Sequence, residues 1–272
     1  MKKYAILGYN SLNIGDDIQS FVVSTLLPIS YIVLRDDYDK VYDFKTGKQV
    51  VLKEKIHLIM NGWFMHSYDG KYKIHYNIKF PIKNNLIVPI FISTCLSKNI
   101  KKLFDNESLQ YYKKFQPVYC RDTTTMKNLK KNNIDCNFFG CITEILDIKS
   151  VKDNDFYKKK YKDSIIYIDC PELFKKRNKN EKAFYFDHYI NDIKNMNVKK
   201  RIEFAEDRLS RYKYAKKIIS YRMHAFLPCR AMGLNVKYVG MRNIYRTKDL
   251  VNKKPNRKYL HDTFYKIIDN VI

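Results

Sequence analysis

Hydrophobic positions along the chain fall into short runs separated by polar turns. Runs of strand length occupy residues 4–9, 56–60, 86–92, 118–120 and 137–139, and again 164–169, 183–188, 218–220 and 236–239. Several are apolar almost throughout, the pattern of strands buried on both faces of a mainly parallel sheet. Between them the spacing becomes helical. Ile18, Phe21, Val22 and Thr25 step along one face of a helix opening at Asp16-Asp17, whose carboxylates complement the exposed N–H groups of a first turn. Asp122 or Thr123 can cap a second helix over 123–133. Ile202, Ala205, Leu209, Tyr212 and Ala215 mark an amphipathic helix over 199–217, another runs from the 222–224 turn to Gly233, and a last one covers 257–270.

Strand–turn–helix units in this order predict an α/β protein with two Rossmann-like lobes. The first lobe spans 1–148 and the second 164–272. The charged, aliphatic-poor stretch 149–163 is the expected linker, and the final helix is expected to pack back across the first lobe. A length of 272 residues suits two compact halves, and 45% hydrophobic residues supply enough apolar surface for two cores.

Charge changes this picture only slightly. The net charge of +24 raises the question of nucleic acid or an anionic membrane. Lysine recurs in nearly every surface stretch, however, alongside abundant Asn, Ile and Tyr, and no familiar nucleic-acid-binding motif appears. No specific nucleic-acid partner is expected; the diffuse positive surface favours anionic substrates and allows peripheral contact with an anionic membrane. The six cysteines form no Cys-x-x-Cys pair and lie in apolar runs, so reduced, buried thiols and no metal site are expected. No signal-peptide pattern or membrane-length apolar run occurs, which points to the cytoplasm.

The densest chemistry lies in Ser220-Tyr221-Arg222-Met223-His224-Ala225, between the strand at 218–220 and the helix ending near Gly233. At such a strand-to-helix turn, orphan N–H groups and the helix dipole attract anions. Arg222 adds a planar cation that grips a carboxylate or phosphate with two hydrogen bonds, and His224 exchanges a proton near neutral pH. An ordinary ion pair for Arg222 and a capping role for His224 account for the same residues equally well.

This segment resembles the hallmark of polysaccharide pyruvyl transferases, a strand ending in Ser-x-Arg-x-His before an alanine- and glycine-bearing helix. Three further segments agree in order: Asn13-Ile14-Gly15-Asp16-Asp17; Asn61-Gly62-Trp63-Phe64-Met65; and Arg121-Asp122-Thr123-Thr124-Thr125 with Phe139-Gly140-Cys141-Ile142-Thr143. The resemblance spans residues 4 to about 246. It implies a GT-B-like architecture with a cleft between the lobes, and transfer of a pyruvyl group from phosphoenolpyruvate to two sugar hydroxyls, with release of phosphate. Phosphoenolpyruvate is then a donor substrate and no cofactor is needed; the other partner is a carbohydrate acceptor.

Carried over by position, Arg222 and His224 become the catalytic pair, with Ser220 and Met223 beside the donor in the second lobe and Arg121 of the first lobe facing the donor across the cleft. The first lobe becomes the acceptor side, with Asn13, Gly15, Asp16, Asp17, Asn61 and Trp63 as cleft candidates and His188 as a further one. Met223 stands where leucine is common, a change conservative in volume. Simple capping by Asp16, core packing of Trp63, a local salt bridge for Arg121-Asp122 and a surface position for His188 are the plainer alternatives. A GT-B-like glycosyltransferase using a nucleotide sugar is the competing activity, since an arginine and helix N-termini also suit a diphosphate.

Overall fold

The computed structural model describes residues 2–64, 67–68, 74–75, 79–241, 244, 247–252 and 255–270. Met65, the last residue of the Asn61–Met65 stretch, and Arg246, at the far end of the family resemblance, lie outside them.

The first lobe comprises β1 (Tyr4–Gly8), α1 (Ile14–Leu26), β2 (Ile29–Leu34), β3 (Asp37–Asp43), β4 (Gln49–Val50), β5 (Ile56–Ile59), β6 (Gly62–Phe64), β7 (Ser67–Tyr68), β8 (Ile74–His75), β9 (Ile87–Ile90), β10 (Ile92–Leu96), α2 (Asn106–Lys114), β11 (Val118–Cys120), α3 (Thr123–Lys130) and β12 (Cys136–Phe138). One sheet has the order β4-β3-β2-β1-β5-β9 and a second the order β12-β11-β10-β6. Both are parallel except at the β2-β3-β4 edge. The apolar run 86–92 therefore serves two sheets, with β9 pairing on β5 and β10 pairing on β6.

The second lobe comprises α4 (Asp155–Tyr161), β13 (Ile165–Ile168), α5 (Pro171–Lys175), β14 (Ala183–Phe186), α6 (Val198–Tyr212), β15 (Lys217–Ser220), α7 (Met223–Ala231), β16 (Val236–Tyr238), α8 (Lys248–Val251) and α9 (Arg257–Asn270). Its sheet is parallel, in the order β14-β13-β15-β16. Two Rossmann-like lobes of mainly parallel sheet are thus what the chain builds.

Several boundaries move from their sequence-based positions. α1 starts at Ile14 because the Asn13 side chain accepts from the Gly15 N–H, so the cap precedes the acidic pair. α6 ends at Tyr212 and leaves Ala215 outside. The stretch 149–163 contains α4, whose Tyr161 is buried with its ring edge-on to Phe184 and whose Tyr157 hydroxyl bonds Asp207 of α6. This charged run is a lysine-faced helix packed on the second lobe rather than a free connection. The hairpin β2-β3 is unannounced in the pattern, because Tyr, Asp and Lys dilute its apolar positions.

α1 decides how the lobes meet. Its residues Ile14 to Val23 are all buried, polar ones included, because one face covers the first sheet and the other packs on α6 and α7. One apolar core runs continuously from Ile6, Ile14, Ile18 and Val22 to Ile166, Ile202, Ala205, Leu209 and Ala225. α9 returns to the first lobe, where the Tyr265 hydroxyl donates to the Leu26 carbonyl and Phe264 is fully buried. No helix among the described residues is long and apolar enough to cross a membrane.

Candidate active site

In the sheet of the second lobe the chain leaves β13 through α5 to β14 on one side, then returns through α6 to β15 on the other. The strand order therefore reverses between β13 and β15, and ligands bind α/β sheets outside the carboxyl ends of strands at such a reversal. Register places Ile168 opposite Ser220, so Asp169 and Arg222 emerge side by side. They form an ion pair through Arg222 Nε and Asp169 Oδ2, with the Asp169 side chain 9% exposed and that of Arg222 38% exposed. The two terminal guanidinium nitrogens make no hydrogen bond among the described residues.

Ser220 shapes the turn. Its Oγ accepts from the Arg222 N–H and donates to the Arg222 carbonyl, both at 2.9 Å. This holds Arg222 extended, with φ −98° and ψ 128°, as the N-cap of α7. No side chain caps that helix start, so its first turn keeps the positive end of the dipole accessible to an anion. Met223 follows and packs against the small apolar cluster of Phe226, Leu227, Tyr238 and Leu250. His224 is one residue further in and is 9% exposed. A Cβ built on Gly15 would lie 2.9 Å from His224 Cβ, so the Asn13–Asp17 turn of the first lobe rests directly on the histidine.

A backbone bridge fixes that contact. Asn13 pairs antiparallel with Tyr189, the Ile14 N–H donates to the His188 carbonyl at 2.9 Å, and the Ile190 N–H donates to the Leu12 carbonyl at 2.9 Å. The His188 N–H donates to Asp169 Oδ1 at 2.9 Å, which joins the bridge to the Arg222 pair. The His188 ring is fully buried, with Nε2 2.9 Å from the Tyr212 hydroxyl. Burial, reinforced by the charges of Arg208 and Arg222, pushes its pKa down to about 3. The ring is neutral at physiological pH and is no surface histidine.

The remaining first-lobe candidates separate into two groups. Asp16 accepts from Ser11 Oγ at 2.7 Å, whereas Asp17 makes a two-pronged pair with Arg201 of α6 at 3.0 and 2.8 Å, both side chains 2% exposed. Burial pushes the Asp17 pKa up, and Arg201 opposes it. Arg121 is fully buried and donates to Gln19 Oε1 of α1 at 3.1 Å. Asn61 follows β5 beside the reversal of the first sheet between β1 and β5, where its carbonyl accepts from the Tyr9 hydroxyl at 3.0 Å; Trp63 lies in β6 of the other sheet, paired with Cys95, and its carbonyl accepts from Arg35 at 3.2 Å. The Asn61 side chain is buried with neither amide atom hydrogen-bonded among the described residues, and Trp63 is partly buried.

A sequence model of the family described as Polysaccharide pyruvyl transferase matches residues 13–236, which contain every candidate above. The chain belongs to the polysaccharide pyruvyl transferase family. Membership makes it a transferase and implies a carbohydrate acceptor. No match is found among curated proteins. Among solved structures, the "functional uncharacterized protein" KP1_0663 of Klebsiella pneumoniae subsp. pneumoniae NTUH-K2044 superposes with a TM-score of 0.52 at 15% identity, covering 96% of this chain and 91% of that one. That likeness shows a shared fold. The S. aureus MnaA–UDP co-structure gives a TM-score of 0.47 at 11% identity, covering 99% of this chain and 89% of that one.

Asp169 is the residue of this pyruvyl transferase family member that the sequence reading missed. Its only local signal was an acid at the carboxyl end of the second lobe's first strand.

Proposed function

We propose that the protein transfers the pyruvyl group of phosphoenolpyruvate to two hydroxyls of a glycan or glycan precursor, with Arg222 as donor-binding residue and His224 as proton-exchanging residue. The observation that supports this reading is Arg222, the N-cap of a helix start that no side chain caps, with its guanidinium held at Nε by Asp169 and its terminal nitrogens unengaged among the described residues. Phosphoenolpyruvate carries a carboxylate and a phosphate, and a two-pronged arginine edge beside helix N–H groups matches both charges.

The reaction adds a proton to the methylene carbon, which becomes a methyl group and leaves the neighbouring carbon electrophilic. One sugar hydroxyl attacks there and gives up its proton. The second hydroxyl displaces inorganic phosphate and gives up its own proton, closing the ketal. His224 lies at the junction of the two lobes, where it exchanges one of these protons as donor and acceptor meet. Ser220 and Met223 set the turn on the donor side. Asn13, Gly15 and Asp16 supply the acceptor face, with Asn61 after β5 and Trp63 in β6 as further contacts in that lobe. The substrates meet in a cytoplasmic cleft between the lobes.

The test is incubation of the wild-type protein with phosphoenolpyruvate and a panel of sugars, with mass detection of the ketal and assay of released phosphate. Thermal stabilisation by phosphoenolpyruvate accompanies the expected result. Stabilisation by nucleotide sugars alone, with no ketal formed, would replace this reading with glycosyl transfer.

A further inference from the structure

We propose that Asp169 is the positioning residue for Arg222: one carboxylate oxygen fixes the guanidinium at Nε, and the other ties it to the backbone bridge between the lobes. The inference rests on the donor-site reading of Arg222 but is carried by separate geometry. Asp169 stands immediately after β13 with φ +50°, a left-handed conformation that Asp tolerates better than most residues. Its N–H donates to the Phe186 carbonyl at 3.0 Å, so the backbone is anchored while the side chain turns across the sheet edge. Oδ1 accepts from the His188 N–H at 2.9 Å, and Oδ2 faces Arg222 Nε. Each oxygen has one partner among the described residues.

The consequence is directional. A guanidinium presents five donors in a fixed plane, and engaging Nε leaves the edge formed by the two terminal nitrogens as the one available for a planar anion. Without Asp169, Arg222 would rotate about its side-chain bonds, and each donor-binding event would have to order it. His188 continues the link, because its carbonyl accepts from Ile14 and its neighbour Tyr189 bridges Asn13. The orientation of the donor arginine is thereby set in the same frame as the Asn13–Asp17 turn.

The experiment compares wild type, Asp169→Asn and Arg222→Lys in two ways. The asparagine keeps an acceptor for His188 and removes the negative charge at Arg222. By arginine Nε–H NMR, wild type should show a slowly exchanging resonance that Arg222→Lys abolishes; Asp169→Asn should lose its protection. In steady-state kinetics, Asp169→Asn should raise KM for phosphoenolpyruvate about tenfold, as expected for loss of a charge-assisted hydrogen bond, with kcat changed far less. A double variant carrying both Asp169→Asn and Arg222→Lys should be no worse than Arg222→Lys alone.

Persistence of the protected resonance in Asp169→Asn overturns the proposal, as does an unchanged KM. If that variant does not fold, wild type decides: protection of the Arg222 resonance must survive addition of phosphoenolpyruvate or inorganic phosphate, and its loss on binding overturns the positioning role. Absence of both phosphoenolpyruvate binding and turnover in wild type refutes the functional reading instead, while the resonance still tests the pair.

Discussion

Gly15 of α1 and His224 of α7 touch across the lobe junction, so that a Cβ at position 15 would lie 2.9 Å from His224 Cβ and 3.2 Å from its Nδ1. Position 15 therefore acts as a spacer. The glycine lets a first-lobe turn approach the histidine more closely than any other residue would allow.

Gly15→Ala should consequently lower turnover at least tenfold by displacing His224. Alanine is intrinsically better in a helix by about 1 kcal/mol, which offsets part of the steric cost, so the melting temperature should move by only a few degrees. Wild-type turnover in this variant would show that the close approach has no catalytic consequence.

Arg222→Ala and His224→Ala should each abolish ketal formation. The Arg222 side chain is more than one-third exposed and its pair is partly solvated, so its loss should cost little stability. Circular dichroism and thermal melts will verify the fold, and phosphate release will report activity. Full turnover in both variants would displace the assigned centre.

Asp17→Ala should destabilise the protein by about 3–5 kcal/mol, because it strips a buried arginine of its carboxylate partner. Arg201 would keep its bond to the Ser11 carbonyl but lose both hydrogen bonds to Asp17. Urea unfolding provides the measurement; a loss below about 1 kcal/mol would mean that water or rearrangement readily compensates the arginine.

The neutral His188 ring predicts acid sensitivity. Its folded pKa of about 3 lies below the ordinary value of 6.5, so between these values the unfolded chain binds more protons. The stability contributed by the neutral ring is complete above pH 6.5 and is lost progressively as pH falls towards 3. From pH 7 to 5 this amounts to roughly 2 kcal/mol. His188→Gln, whose amide can still meet the Tyr212 hydroxyl, should show a shallower decline in unfolding free energy over that range, and equal slopes would contradict the assignment.

Features set by neighbouring residues were legible in the sequence. The Ser220–Ala225 turn depends on a strand, a hydroxyl two residues before an N–H, and a helix start, all within one short segment. The Asn13–Asp17 turn was legible for the same reason, although the cap proved to be Asn13. Asp169 was not, because its partnership with Arg222 exists only through the parallel pairing of β13 with β15. Neither strand states which residue of the other it will face.

The sequence by itself determined the two α/β lobes, the cysteines' placement in apolar segments and the position of the Arg-x-His turn, since these follow from local periodicity and capping. Tertiary structure alone decided that α1 would be buried between the lobes. That burial gives Asp17 to Arg201 and Arg121 to Gln19, sinks His188 against Tyr212, and sets Gly15 on His224. The physical reason is that a charged or polar side chain looks the same in a sequence whether it faces solvent or a buried partner. Only the packing of distant segments fixes its partner, its solvation and hence its charge.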